Sequence, residues 1–457
     1  MKTIFITIGE DIIFRNIFKT NFWNLFYSGL ENFNVRIIVL VKPESLDYFK
    51  DYFSSYEKVF VIAFKREKVP KKVSLLETLM RSCIDSHTNL WSKMRSYYRG
   101  DSSFLDTYIK RLHTFLLGRN YFYKNWLRKK YISSDSDSNA KKIFDEYNPS
   151  LLIASSITNF DFDVVLSREA KKRGIRLVGM PRSWDNFSSH GMVRVVPDKI
   201  LVQDNFLVDM LKEYQSVDLN KTEVEVFGLP HYDDYFKKEK IEDREVFLNK
   251  MGIDKNKKII TYGAMGTFLF VSEEGVPELL NSIAENELKD ENIQFIYRGH
   301  PKFKLSSENI SKYKNILFDI ESDYIDKKKD EDRHYINLLH HSDFIISGAS
   351  TFIIDAISLD KKFISCIGFD PIQKKVKYWE SVLRFYDTYT HFEALVETGN
   401  IYLFKNREEL VSEIKNFLSV ESDYNYNRDA CIEKFFAPFD GKSAERLSDK
   451  LLLEIKK

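Results

Sequence analysis

The chain has 457 residues, with 69 Lys and Arg against 68 Asp and Glu and a formal net charge of +1. That length exceeds one ordinary core and predicts two or three domains, while the balanced charge argues against a dedicated nucleic-acid binder. Apolar residues make up 43% and charged residues 30%, which excludes wholesale disorder. Cys83, Cys366 and Cys431 lie far apart with no Cys-x-x-Cys, so they read as reduced thiols and offer no zinc site. The first predicted strand, 3–8, breaks at Gly9-Glu10-Asp11 without a small-residue cleavage site, and reads as a buried strand rather than a signal peptide. No stretch approaches the roughly 20 apolar residues of a membrane span. The expected location is the cytoplasm, with any membrane contact peripheral.

A helical stretch carrying Phe14, Ile17, Phe18 and Phe22 leads to strands at 35–41 and 59–63. Uninterrupted β-branched runs alternating with helices are the mark of a parallel sheet covered on both faces. The rhythm breaks over about 71–135, a helical insertion rich in aromatic and basic residues, with ten Lys or Arg against two Asp between 93 and 130. The polar tract 133–139 reads as a solvated loop. Strands follow at 151–155, 176–180, 199–202 and 223–227, with helices at 164–173 and 205–214. A second series has strands at 258–262, 293–297, 315–318, 344–347 and 362–367, then two or three closing helices. The predicted fold is α/β: two doubly wound Rossmann-like domains facing across a cleft, with a helical insertion in the first. The boundaries are 1–236, 237–435 and a final helix, 436–457, that packs back toward the first domain.

In such sheets ligands bind beyond the carboxyl ends of the strands. Ser347-Gly348-Ala349-Ser350-Thr351 lies between a strand and a helix, where small residues admit a ligand and helix amides attract anions; an ordinary N-cap is the alternative. Arg298-Gly299-His300-Pro301 ends the strand at 293–297, so a guanidinium and an imidazole are expected at a phosphate. Gly263 and Gly266 open the second domain's first turn and are expected in the wall of the site, although no dinucleotide fingerprint or Walker motif is present.

In the first domain, Gly9 precedes Glu10 and Asp11, candidate general bases or, equally, helix N-terminal acids. Ser183-Trp184-Asp185-Asn186, with His190 nearby, reads as the acceptor side or as a Trp plug. Asp233-Asp234 reads as a solvated turn. The basic aromatic helices of 90–131 read as a charged solvated face or as a patch for an anionic membrane surface.

Together these segments resemble the GT-B superfamily of glycosyltransferases, which also includes the non-hydrolysing sugar-nucleotide epimerases. His300-Pro301 followed by Ser350-Thr351 is similar to the His-Pro and Ser-Ser/Thr motifs of bacterial CMP-sugar transferases of the sialyl and Kdo type, and CDP-glycerol polymerases carry a similar pair. The resemblance implies that His300, Ser350 and Thr351 hold the phosphate and ribose of a cytidine nucleotide. Sialyltransferases of this kind have an Asp/Glu-Asp/Glu-Gly motif that supplies the base, whereas Gly9-Glu10-Asp11 has a different order. Many GT-B enzymes place a Glu in the helix after the nucleotide loop, and Asp355 stands there. The helix from Asp440 onward resembles the closing helix of polysaccharide-cluster enzymes.

The function expected is an inverting, metal-independent glycosyltransferase of bacterial surface-polysaccharide assembly, without a cofactor. The donor is a CMP-sugar first and a UDP-sugar second; the acceptor is a glycan or lipid-linked chain. Glu10 or Asp11 would take the acceptor proton, with Asp185 a further candidate, while His300, Ser350, Thr351 and Arg298 would stabilise the departing phosphate. Alternatives are a polyol phosphotransferase using CDP-glycerol, a sugar-nucleotide epimerase, and a non-catalytic nucleotide-sugar-binding protein.

Overall fold

The computed structural model describes residues 1–158, 161–300, 307–319, 331–361, 363–399, 401–419 and 428–457. They form two compact units, Met1–Asp234 with Lys434–Lys457, and Tyr235–Glu433. Unit 1 holds β1 (Lys2–Ile8), β2 (Val35–Val41), β3 (Val59–Ala63), β4 (Leu151–Ala154), β5 (Arg176–Gly179), β6 (Lys199–Val202) and β7 (Glu223–Val226). They make one sheet in the order β3-β2-β1-β4-β5-β6-β7, with every pairing parallel. Unit 2 holds β8 (Lys258–Gly263), β9 (Ile293–Arg298), β10 (Ile316–Asp319), β11 (Phe344–Ser347), β12 (Ile364–Ile367) and β13 (Tyr402–Phe404). Their order is β10-β9-β8-β11-β12-β13. Both sheets therefore reverse direction at a switch point, between β1 and β4 in unit 1 and between β8 and β11 in unit 2.

The apolar runs explain the layers. Along β2, Ile38 and Leu40 join a core that includes Phe5 and Leu152. Their neighbours Ile37, Val39 and Val41 join the opposite core with Ile4 and Ile6. Strand residues alternate faces, so a run apolar at every position must be covered twice.

Between β3 and β4 lie α1 (Lys71–Ser82), α2 (His87–Arg99), α3 (Phe104–Leu117), α4 (Tyr121–Ser133) and α5 (Ser138–Tyr147). The tract 133–139, expected as a loop, is shorter than that: Asp137 already caps α5 by accepting from the Ala140 amide. Helix α6 (Asp161–Lys172) follows β4, and α7 (Thr351–Ser358) follows β11. The last helix, α8 (Ser443–Lys456), belongs to unit 1. Its Leu447, Leu451 and Ile455 lie in the core with Trp23 and Phe26, and each such burial contributes roughly 1.5–3 kcal/mol.

Two charge readings are corrected here. Asp233 is not a solvated turn residue: it is buried, and its carboxylate accepts from the amides of Ser443 (3.0 Å) and Ala444 (2.7 Å), capping α8. The cations of the insertion do not all face solvent either, since Arg95, Lys124 and Arg128 are buried. Arg128 donates to the carbonyls of Val193 and Ser216, both at 3.0 Å. Burial lowers Lys124 to about 8. Counting charges along a helix gives no direction for them.

Candidate functional site

In unit 2 the sheet register brings the strand ends into one row. Asp319 pairs with Arg298, Arg298 with Gly263, Gly263 with Ser347, and Ser347 with Cys366. The loops after β8, β9 and β11 thus leave from adjacent strands. Ser347 is buried; its hydroxyl donates to the Gly263 carbonyl (2.6 Å) and lies 2.9 Å from the Ser350 hydroxyl. Ser350 takes the N-cap position of α7 with extended backbone, yet its side chain makes no capping bond. Thr351, the first residue of that helix, is exposed, and His300 is half-buried two residues beyond the end of β9. Pro301 lies outside the described residues, as does Lys362 at the start of the predicted last long strand.

Gly263 and Gly348 of this row are packing requirements, whereas a Cβ on Gly299 would meet nothing within 4 Å. A Cβ on Gly348 would fall 2.1 Å from the Met265 sulfur, and one on Gly263 would fall 2.3 Å from the Phe352 ring. Gly266 has φ +91°, a conformation that favours glycine. Two amides of the β8 loop, those of Met265 and Gly266, are not open to a phosphate. Glu273, buried, accepts from Met265 N (2.6 Å), Gly266 N (2.7 Å) and the Tyr262 hydroxyl (2.8 Å). Burial pushes Glu273 up to about 7 despite those three bonds.

Two residues expected at the nucleotide point elsewhere. Arg298 is buried and pairs with Asp319 at 2.8 Å, its guanidinium 4.5 Å from the Tyr335 ring centre. Burial alone would raise Asp319, but the bond from His334 and the charge of Arg298 outweigh it and hold the carboxyl below its ordinary range. Asp355 is also buried and accepts from the Tyr335 hydroxyl at 2.6 Å. Arg298, Tyr335 and Asp355 form one internal network beneath the loops, because a buried charge must find a partner.

In unit 1, Glu10 is half-buried and accepts from Arg182 at 2.9 Å, while Asp11 is exposed at the start of a helix that continues as a π-helix over Phe14–Phe18. Arg182 Nη2 lies 3.3 Å from His190 Nε2, which lies 3.3 Å from Asp185. The segment Ser183–Asn186 is held from within: buried Asn186 accepts from Thr158 Oγ1 and the Arg182 amide, both at 2.9 Å, and donates to Asp185 at 3.0 Å. Ser183 contributes its carbonyl to the Asn186 amide. Trp184 packs edge-on against Phe435, with ring centres 5.9 Å apart.

Beneath Gly9 sits a carboxylate that the sequence did not single out. Asp163, in the first turn of α6, is fully buried and accepts from Thr7 Oγ1. Thr7 Oγ1 in turn accepts from the Ser155 amide at 2.9 Å, tying β1 to the end of β4. A Cβ on Gly9 would lie 3.0 Å from Asp163 Oδ2, and that oxygen has no hydrogen-bond partner among the described residues. Burial raises Asp163 to about 7, with Glu10 adding to the rise and the Thr7 and backbone bonds opposing it.

Two parallel Rossmann-like sheets with switch points are the architecture of the GT-B fold, and solved structures agree on it. A putative UDP-N-acetylglucosamine 2-epimerase from Listeria monocytogenes is 12% identical over 100% of this chain and 97% of its own, with a TM-score of 0.54. The UDP-GlcNAc 2-epimerase of Methanocaldococcus jannaschii is 14% identical over 99% and 100%, with a TM-score of 0.51. A glycosyltransferase from Rickettsia africae is 14% identical over 100% and 99%, with a TM-score of 0.50. Among curated proteins no sequence matches. The family model for CDP-Glycerol:Poly(glycerophosphate) glycerophosphotransferase matches residues 195–453, more than half of the 457-residue chain. The chain belongs to that family and is a transferase.

Proposed function

We propose that the protein transfers a polyol phosphate from a CDP-activated donor to an acceptor hydroxyl in the assembly of a cell-surface polymer. The observation that carries this is the span of the family match, 195–453, which takes in His300 and the Ser347–Thr351 loop together. It favours CDP-glycerol over the CMP-sugar and UDP-sugar donors expected from the short motifs alone. In this reading the acceptor oxygen bonds to the glycerol-bearing phosphorus, the bond from that phosphorus to CMP breaks, and CMP leaves with the electron pair. The acceptor proton passes to a base, which we assign to Glu10 or Asp11. Because attack falls on phosphorus, no anomeric centre is inverted.

We assign His300 and the hydroxyls of Ser350 and Thr351 to the phosphates of the donor, where a charge-assisted bond is about twice as strong as a neutral one. A lipid-linked glycan or polyol-phosphate acceptor would bring the enzyme to the inner face of the cell membrane. The test is a thermal-shift panel of CMP, CDP-glycerol, a CMP-sugar, UDP-GlcNAc and GDP-sugar, followed by an assay for CMP release. CDP-glycerol and CMP should stabilise the protein, and His300→Ala should weaken that binding about tenfold or more. Stabilisation by UDP-GlcNAc alone, or by no nucleotide, sinks the reading. The same assay on Glu10→Gln and Asp11→Asn tests the destination of the proton; normal turnover by both removes them as bases.

A further inference from the structure

Helix α3 is inverted relative to an ordinary surface helix. Its threonines and histidine face the protein. Thr107 and Thr114 are buried, and His113 bridges Ser82 (3.0 Å) and the Tyr123 hydroxyl (2.9 Å). Its apolar residues face outward: Leu105, Tyr108, Ile109, Leu112, Phe115 and Leu116 are all exposed, Phe115 by 80%. Their spacing of three and four places them on one side of the helix. After the turn at 118–120, α4 continues the pattern with Phe122 (81% exposed) and Trp126 (49%). Exposed Lys129 and Lys130 share that face of α4, being seven and eight residues beyond Phe122, and exposed Arg111 borders the apolar side of α3. A contiguous apolar face of this kind marks an interaction site.

We infer that the outer face of α3 and α4 docks into an anionic lipid bilayer, its apolar side chains entering the headgroup–acyl boundary while Arg111, Lys129 and Lys130 meet lipid phosphates. Charge complementarity selects this occupant. An aromatic and aliphatic face rimmed by cations is the composition of an interfacial amphipathic helix. A second copy of the chain would bring like cations together at the rim. A polyanionic acceptor polymer would satisfy the cations and leave the Leu, Ile and Phe side chains uncovered. The nearby acids are already engaged, Asp106 with Lys110 and Asp85 with Arg119, both at 2.6 Å.

This inference extends the reading of a lipid-linked acceptor, but vesicle binding is measured without donor or acceptor, so its failure leaves the donor assignment standing. The full chain is sedimented with vesicles of phosphatidylcholine alone or mixed equally with phosphatidylglycerol, at low and high salt. The expected result is binding to the mixed vesicles that weakens with salt. The combined variant Phe115→Ser, Leu116→Ser, Phe122→Ser alters only exposed side chains, so it should melt like the wild type and bind at least about tenfold more weakly. Arg111→Glu with Lys129→Glu and Lys130→Glu should lose the preference for phosphatidylglycerol. Three results overturn the inference: wild-type protein that stays in the supernatant, serine variants that bind as well as the wild type, or a wild-type dimer that the serine substitutions dissociate.

Discussion

Each unit places a buried carboxylate beside its switch point, and burial raises both to about 7, yet the two are built differently. In unit 2, Glu273 is saturated: two loop amides and a tyrosine hydroxyl converge on its oxygens. It holds the β8 loop as a wall, and we assign the donor to His300 and the Ser350–Thr351 turn. In unit 1, Asp163 accepts from Thr7, while its Oδ2, buried under Gly9, has no hydrogen-bond partner among the described residues. The switch point of unit 2 thus carries a structural carboxylate in the loop after its first strand, and that of unit 1 a carboxylate on the helix after β4 with one oxygen unfilled. Burial alone does not tell them apart; the oxygen left without a hydrogen bond among the described residues does.

The largest test of this contrast is Glu273→Ala. It leaves three buried donors without a partner, each costing roughly 1–3 kcal/mol, so denaturant unfolding should show a loss of about 3 kcal/mol or more. A loss below about 1 kcal/mol would mean that water replaces the carboxylate and the wall is not rigid. The next is the pH dependence of stability. Both carboxyls are raised in the folded state above their unfolded values, so these two groups bind more protons in the native protein than in the unfolded chain between about pH 4 and 7. Their contribution is complete below the unfolded value and is lost as pH rises through about 7. Asp163→Asn removes one of these titrations. The variant should gain on the wild type between pH 4 and 8 by an amount on the order of a few kcal/mol, read from unfolding midpoints across that range. Parallel curves for the two proteins would show that Asp163 does not titrate as described.

Much of the fold could be read from apolar runs, because a strand such as Val35–Val41 has nowhere to go but the middle of a sheet. The three-residue β13 carries no such run and was not visible. At the site, the loops after β9 and β11 were legible because glycine and serine at a strand end are conspicuous. Asp163 and Glu273 were not, since each is one acid near a helix start until the register places it under a loop. The internal partners of Arg298 and Asp355 were hidden for the converse reason: residue type suggested a ligand, while Asp319 and Tyr335 are distant in sequence. Composition likewise marked about 71–135 as a helical insertion rich in aromatic and basic residues but could not say that the apolar side of α3 faces outward.

The smallest effect comes from a matched pair of glycine substitutions, and it separates the switch points most finely. In unit 2, Gly348→Ala directs its methyl 2.1 Å from the Met265 sulfur. A thioether is flexible and can turn aside, so the cost should be about 1 kcal/mol. Because Met265 belongs to the wall held by Glu273, donor affinity should fall with it. In unit 1, Gly9→Ala places its methyl 3.0 Å from Asp163 Oδ2 and 3.1 Å from the Phe162 ring, a tight fit that a few tenths of an ångström relieve. Its cost should be under about 1 kcal/mol at acid pH. An apolar group against the unpartnered oxygen further disfavours the ionised form, so the variant should fall increasingly behind the wild type as pH rises toward 8. Gly348→Ala has no titrating oxygen at its methyl and should differ from the wild type by the same amount at every pH. If instead Gly9→Ala is the pH-independent member of the pair, Asp163 Oδ2 is solvated in solution and the contrast between the two carboxylates disappears.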